Sequence, residues 1–226
     1  AGATVNTLTQ TLDSETSGSI DIDGADINYT GLEPITDNLD AANRVFTFTT
    51  GGLTVDLTRD DATHTLIDSG ASESVSFTTP TNSLTINLDA GGNTVNVDSL
   101  ADDYDTPTNT INGEAGVETV NFEELDGATV VSSPSWTVNG GGEADTVNLS
   151  PAAQTLDNLS GSVTFNAANA PGVDPVGDVL NIFDDLTNRG DSFTITPTQV
   201  TRPGNNFAGV TFDNLVNEVN LYAGLG

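Results

Sequence analysis

The sequence predicts an all-β fold, a single parallel β-helix in which short strands stack coil upon coil. The main observation is a pair of three-residue segments typical of β-strands, which we call words. The two words of a pair are separated by a six-residue turn rich in glycine and acids, and the pair occurs three times at nearly constant spacing. The pairs are Thr-Ile-Asn (85–87) with Thr-Val-Asn (94–96), Thr-Ile-Asn (110–112) with Thr-Val-Asn (119–121), and Thr-Val-Asn (137–139) with Thr-Val-Asn (146–148). Composition agrees, because Lys and Met are absent and no long stretch has the apolar period of a helix.

Further copies of the word extend the pattern over the whole chain. First words begin near residues 26, 54, 85, 110, 137, 164, 193 and 218, which predicts about eight coils of 25–31 residues in one domain, 1–226. Such a coil suits three short strands per turn, each paired in parallel with its equivalent about 4.8 Å along the axis. The segments 45–49 and 75–79 are the clearest candidates for the third strand. No cap is apparent at either end, so we expect open ends through which subunits associate end to end.

The residue at the centre of each word is apolar, and Thr and Asn flank it. Alternation along a strand therefore predicts columns of Val and Ile in the core and columns of Thr and Asn outside. Stacked asparagines form side-chain amide ladders. We expect this structural role for them rather than ligand binding.

The strongly negative net charge limits the kinds of molecule that this protein can bind. The chain has 33 Asp and Glu against 4 Arg, for a net charge of −29. Such a surface repels nucleic acid and anionic headgroups, and no apolar run is long enough for membrane insertion. It attracts cations, so solvation in a salty setting and divalent-cation binding both stay open. The absence of Cys excludes disulfides and thiolate metal sites.

The six-residue turns supply the candidate metal ligands. Their acids fall in one column when the coils stack: Asp89, Glu114, Glu118, Glu143 and Asp145. Carboxylates one coil apart, at roughly 5 Å and an effective dielectric near 20, repel by about 3 kcal/mol per pair. Bound Ca²⁺, which takes carboxylate and carbonyl oxygens, would remove this repulsion. The sequence therefore predicts calcium in this column, with solvated acidic turns as the alternative.

The turn Gly-Gly-Gly-Glu-Ala-Asp-Thr-Val (140–147) resembles the G-G-x-G-x-D-x-U repeat of RTX-type calcium-binding β-rolls, with Glu143 in place of a Gly. The turns 113–120 and 88–95 match it less completely and have Glu118 and Asn93 in place of the Asp. The stretch 26–34 also resembles an element of repeat regions in large bacterial surface and adhesin-like proteins. The resemblance implies a right-handed parallel β-helix (β-solenoid), calcium in the turns, and a secreted or cell-surface setting.

Catalysis is not predicted. Polysaccharide lyases with a β-helix resemble one another in using Lys or Arg as base, and this chain has no Lys and only scattered Arg. A glycoside hydrolase needs two carboxylates about 5–9 Å apart, for which the Asp-Asp pairs at 60–61, 102–103 and 184–185 are nominal candidates. With His64 as the only His, a triad or zinc site is not expected. Trp136 is expected to pack at a coil corner.

We therefore expect an extracellular structural protein that is not an enzyme. It would be a stiff acidic rod in a filament, surface layer or adhesin stalk, associating end to end, binding Ca²⁺ and contacting surface glycans. The alternative is a carbohydrate-binding or carbohydrate-cleaving β-helix protein. A groove lined by two carboxylates and an aromatic side chain would favour that alternative. Ice binding through Thr columns is disfavoured by the irregular coil length.

Overall fold

The computed structural model describes residues 4–32, 34–128, 133–167, 177–186, 191–204 and 207–224. Almost all regular structure in these ranges is β-strand, which confirms the predicted all-β class. The strands are β1 (Val5–Ser14), β2 (Ser17–Ile22), β3 (Ala25–Thr30), β4 (Ile35–Asp37), β5 (Ala41–Phe48), β6 (Thr54–Arg59), β7 (His64–Asp68), β8 (Val75–Thr78), β9 (Ser83–Asn87), β10 (Thr94–Val97), β11 (Thr108–Asn112), β12 (Thr119–Phe122), β13 (Ser135–Asn139), β14 (Thr146–Leu149), β15 (Gly161–Asn166), β16 (Val179–Asp184), β17 (Thr194–Thr196), β18 (Gln199–Thr201), β19 (Phe207–Phe212) and β20 (Glu218–Ala223). A short 3₁₀ helix spans Leu156–Asn158. No helix among the described residues is long and apolar enough to cross a membrane.

Two sheets contain these strands. The first sheet has 11 strands in the order β17-β18-β19-β15-β13-β11-β9-β5-β1-β2-β3, and the second has 9 in the order β20-β16-β14-β12-β10-β6-β7-β8-β4. The strands in the middle of each sheet pair in parallel, as the repeat predicts. Ile86 and Ile111 from the first sheet and Val95 and Val120 from the second belong to one buried apolar cluster. The core therefore lies between the two sheets.

The two words of each repeat lie in different sheets. The aligned first positions are Thr85, Thr110, Thr137 and Thr164 in the first sheet and Thr94, Thr119 and Thr146 in the second. The six-residue turn between two words is therefore the crossing from one sheet to the other. This crossing is where the predicted turn acids lie.

The periodicity misassigns the outer words. The words at 54–56 and 218–220, predicted as first words, pair in the second sheet, and 26–28 lies in the antiparallel strand β3. The place expected for 193–195 is taken by Thr211 and Phe212, which pair with Thr164 and Phe165. Both sheets use the same polar–apolar–polar word, so the local pattern does not reveal which sheet a word joins.

Coil length also departs from the predicted 25–31 residues. Paired residues are 25 positions apart from Ile86 to Ile111 but 47 apart from Phe165 to Phe212. The longer steps hold additional antiparallel strands or loops. The predicted third strand has no counterpart among the described residues, because 45–49 begins within β5 of the first sheet and 75–79 within β8 of the second.

Antiparallel strands flank the parallel part of the fold. Beyond β1 the first sheet continues with β2 and β3, and beyond β6 the second continues with β7, β8 and β4. At the other end β18 and β17 extend the first sheet past β19, whereas β20 is the last strand of the second. Among the described residues, antiparallel strands thus lie between the parallel part and three of the four sheet edges.

Two asparagine ladders run along the fold, which confirms the predicted amide stacking. In each ladder the side-chain Nδ2 donates to the side-chain oxygen one strand earlier, at 2.7–3.0 Å between asparagines. The first ladder is Asn87, Asn112, Asn139 and Asn166; the second is Asp56, Asn96, Asn121, Asn148, Asn181 and Asn220. Each internal amide donates one bond to the ladder and accepts one, so the same neutral group can be repeated from strand to strand.

Candidate functional site: a column of buried carboxylates

A column of polar side chains lies where the chain enters the second sheet. Its members stand directly before β10, β12, β14, β16 and β20, and we call them the carboxylate column: Asn93, Glu118, Asp145, Asp178 and Asn217. The three acids in its middle are buried, with exposed fractions of 2% for Glu118 and 0% for Asp145 and Asp178. Ionisable groups are rarely buried to this degree unless they are paired or hydrogen-bonded.

Each later member of the column accepts a hydrogen bond from the backbone of the member before it. Asp145 Oδ1 accepts from the Glu118 N–H at 2.8 Å, and Asp178 Oδ1 accepts from the Asp145 N–H at 2.8 Å. Asn217 Oδ1 accepts from the Asp178 N–H at 2.9 Å. The column therefore satisfies backbone donors at the sheet-to-sheet crossing, where a buried unpaired N–H would be costly.

Glycines in the turns bring the backbone close to these carboxylates. A Cβ added at Gly140 would lie 2.2 Å from Asp145 Oδ2, and one at Gly113 would lie 2.9 Å from Glu118 Oε2. A Cβ at Gly116 would lie 2.9 Å from Glu118 Oε1. Any larger residue would have to displace a buried carboxylate, so the close approach requires glycine at these positions.

Glu118 and Asp145 form a coupled pair that favours holding one proton. Burial and the neighbouring charge of Asp145 raise the pKa of Glu118 to about 8. Burial also raises the pKa of Asp145, against hydrogen bonds from Glu118 that lower it. Unless one acid is protonated, Glu118 Oε2 and Asp145 Oδ2 are buried without a hydrogen-bond partner among the described residues. One proton on Glu118, donated to an ionised Asp145, gives both oxygens a partner at neutral pH.

Of the five predicted calcium ligands, the structure brings two together in the column, Glu118 and Asp145. The side chain of Glu143 is exposed in the turn before Asp145, and its charge contributes to the raised pKa of that acid. Glu114 is exposed, and half-buried Asp89 accepts from the next backbone N–H at 2.8 Å. Sequence reasoning missed Asp178 and Asn217, because the words that follow them do not begin with Thr.

The column offers few free oxygens for Ca²⁺, which takes roughly six to eight. Backbone N–H groups already hold Oδ1 of Asp145 and Asp178. In the parts of the chain that the structure describes, no three or more acidic or histidine side chains are grouped so as to hold a metal ion. Calcium in the turns therefore stays a prediction.

A second group of acids, here called the acidic cleft, lines a cavity of about 470 Å³ beyond the ends of β10 and β12. Its acids are Asp98, Glu123, Glu124, Asp126 and Asp157. Burial raises the pKa of Asp126 to about 6 and also raises the pKa values of Asp98 and Glu124. Glu123 is fixed in place, because its two oxygens accept backbone N–H bonds at 2.6 and 3.1 Å.

The Asp-Asp pairs considered for hydrolysis are tied into local structure. The Asp61 carboxylate accepts two backbone N–H bonds in its own turn, at 2.7 and 2.8 Å. Asp102 forms an ion pair with Arg59, and Asp184 forms one with Arg202, each at 2.7 Å. These contacts explain the three acids by structure alone.

Comparison with known proteins assigns no family to this chain. No family model, curated protein or solved structure matches it.

Proposed function

We propose that this protein is an extracellular structural element: a stiff, acidic, right-handed parallel β-helix that serves as a spacer in a filament, surface layer or adhesin stalk. The observation that carries the proposal is continuity along one axis. Amide ladders follow both sheets, and one apolar cluster lies beneath them. A sheet of 11 strands spaced about 4.8 Å apart extends roughly 50 Å along that axis.

The surface chemistry supports a spacer. Thr and Asn fill the outward positions of the repeated strands, and the chain has a net charge of −29. Strand edges and flat β-surfaces tend to associate sideways, and a strong like charge opposes such contacts. A long, repetitive β-surface can therefore stay soluble at a crowded cell exterior.

Small-angle scattering and electron microscopy of the purified chain test this proposal, with circular dichroism to follow β-content. We expect an elongated particle at least about 50 Å long in which the β-content is stable. A compact sphere would overturn the proposal. The same measurement with millimolar Ca²⁺ and with excess chelator tests the predicted calcium and end-to-end association. Calcium-dependent filaments would support both, and an unchanged monomeric rod would remove both.

A carbohydrate-binding or carbohydrate-cleaving role is the second candidate, and the acidic cleft favours it. The pKa of Asp126 is raised while other carboxylates lie beside it, and a glycosidase likewise pairs one carboxyl group that stays protonated as the acid with one that stays ionised. However, the described residues that line the cleft include no aromatic side chain, and Trp136 is fully buried. A glycan-binding and hydrolysis screen of the parent and of Asp126→Asn decides the matter. Turnover lost in the variant would establish the enzyme, and an absence of both binding and turnover in the parent would exclude this role.

A further inference from the structure

The two sheets end differently at the end of the fold that contains β20. Outward from β13 and β14, which are the two words of one repeat, the first sheet continues with β15, β19, β18 and β17. The second sheet continues with β16 and β20. Within the described residues, the first sheet therefore extends two strands, about 10 Å, beyond the second.

Only the outermost strand of this overhang, β17, exposes the face that covers the core elsewhere, because Val200 of β18 is still buried. One row of side chains crosses the face from strand to strand: Val163, Val210, Val200 and Ile195. The three valines are fully buried, whereas Ile195 is 63% exposed. Directly opposed residues in neighbouring strands point to the same side of a sheet. Ile195 thus points toward the core side, past the last strand of the second sheet.

Among the described residues no strand pairs with the outer edge of β20, and this edge borders the same gap. The N–H groups of Glu218 and Gly224 donate to carbonyls at the two ends of the β16 segment, each at 3.1 Å. Residues at even positions between them face β16, so Val219, Leu221 and Ala223 direct their N–H and C=O groups away from it. An unpaired edge of this kind is a template for another strand.

The second asparagine ladder also ends here. Asn220 Nδ2 donates to Asn181 Oδ1 at 3.0 Å and to Glu218 Oε1 at 2.8 Å, and no donor among the described residues reaches Asn220 Oδ1. Next to it, Tyr222 stacks on Phe183 with ring centroids 4.7 Å apart, and the Tyr222 side chain is 45% exposed. A strand added in the same register would extend both the ladder and the ring stack.

We propose that the β20 edge and the overhanging face of β17 form a strand-binding groove. Its partner is an extended peptide segment with the pattern apolar–Asn–apolar–aromatic, added in parallel to β20. The apolar side chains of the partner would enter the gap beside Ile195 and Leu221, and its Asn would donate to Asn220 Oδ1. A basic residue aligned with Glu218 complements the acidic surface.

A second copy of the chain that pairs through its own β20 fits this groove less well. If two β20 edges paired antiparallel, the first sheet of each copy would already occupy the space into which the other's overhang extends. A single strand fits beside the exposed Ile195, because the core side of β18 is already covered at Val200. This inference depends on the edge geometry and not on the proposed extracellular role.

The probe is the peptide acetyl-Lys-Val-Asn-Leu-Tyr-Thr-amide, titrated into the ¹⁵N-labelled full chain. We expect amide shifts at Val219, Leu221 and Ala223 and a shift at Ile195. A nitroxide at the peptide N-terminus should broaden signals near Glu218 more than those near Ala223, because the added strand is parallel. Shifts confined to other parts of the chain would overturn the proposal.

A matched pair of variants isolates the edge. Ala223→Pro removes an outward N–H and leaves the bonds to β16 in place, whereas Ala223→Thr keeps that N–H. We expect binding at least about tenfold weaker in the Pro variant and within about twofold of the parent in the Thr variant. Asn→Asp in the peptide should weaken binding about fivefold or more. Equal binding by both variants would overturn the proposal, as would peptide-independent self-association that Ala223→Pro abolishes, because the partner would then be a second copy.

Discussion

The asparagine ladders and the carboxylate column both stack one polar side chain per strand of a sheet, but only the ladders use a group that donates as well as accepts. Asn121 donates to Asn96 and accepts from Asn148, each at 2.7 Å. An ionised carboxylate only accepts, so the column depends on donors from the backbone. Glu118 and Asp145 keep one buried oxygen each that only a proton satisfies.

The difference explains how far each stack extends. The second ladder runs from β6 to β20, because adding another neutral amide adds no charge and leaves no unpaired group in its interior. The column contains three acids and changes to an amide at Asn93 and at Asn217. Stacked carboxylates repel one another, and burial strengthens that repulsion. A neutral ladder can therefore be repeated along the fold, while a charged column needs amides or protons to limit its charge.

The largest expected effect is the pH dependence that Glu118 gives the folded state. Its pKa is raised from 4.5 to about 8 in the folded chain, so the folded state binds this proton more tightly than the unfolded state. Stability is then highest below the unfolded value and falls as pH rises from near 4.5 to near 8. One group of this kind gives a slope of at most about 1.4 kcal/mol per pH unit. Urea unfolding at successive pH values measures it.

Glu118→Gln sharpens this test, because an amide keeps a donor toward Asp145 and does not ionise. The variant should lose most of the slope between about pH 6 and 8, above the raised pKa of Asp126. Glu114→Gln, which removes one exposed acid from the same turn, should keep it. If both variants retain the parent slope, the shared proton is not in the column.

Gly140→Ala breaks the column sterically. The new Cβ would lie 2.2 Å from Asp145 Oδ2, a contact that the buried carboxylate must relieve by moving away from its backbone donor. We expect the free energy of unfolding to fall by about 3 kcal/mol. At Gly142, two residues along the same turn, an added Cβ meets nothing within 4 Å. Gly142→Ala should therefore stay within about 1 kcal/mol of the parent. Thermal and urea unfolding measure both variants. If Gly140→Ala and Gly142→Ala lose the same stability, close packing at Gly140 is contradicted.

The sequence predicts the parts of this structure that are set by local alternation. The all-β class, the parallel middle strands and the amide ladders follow from words such as Thr-Val-Asn at 119–121, which lies between two copies of itself at 94–96 and 146–148. The sheet to which an outer word belongs depends on the strand beside it. The sequence pattern therefore predicts residues 54–56 and 218–220 in the wrong sheet.

The candidate site could be predicted in part for a related reason. Glu118 and Asp145 stand before complete words, so their place in a column is visible in the sequence. Asp178 stands before Val-Leu-Asn (179–181), where the word is incomplete, and only pairing with β14 reveals its position. Burial raises the pKa of Glu118, whereas the side chain of Glu143 is exposed. Which of the two acids is buried depends on the crossing between the sheets rather than on the turn sequence.

Asn121→Asp replaces one amide of the second ladder by a carboxylate, the group found in the column. The new carboxylate would still accept from Asn148, but it would face Asn96 Oδ1 without a donor. We expect a loss of about 1–2 kcal/mol at neutral pH, recovered in acid when the new group is protonated and donates again. Asn214→Asp makes the same change at an exposed turn position outside the ladders and should have little effect. A loss that does not recover in acid would mean that the missing donor is not its cause.

The smallest effect compares the end of the ladder with its middle. Asn220→Ala leaves Asn181 Oδ1 without its donor at a half-exposed position where water can replace it. We expect a cost of about 0.5 kcal/mol. Asn148→Ala removes two rungs, the bond to Asn121 and the bond from Asn181, and should cost about 1–1.5 kcal/mol. Thermal unfolding of both variants gives the ratio of the stability lost in Asn148→Ala to that lost in Asn220→Ala. A ratio near two means that the rungs act independently, and a larger ratio means that each amide strengthens the next. In the second case the continuity of the ladder, rather than the number of its bonds, would account for the stiffness expected of a spacer.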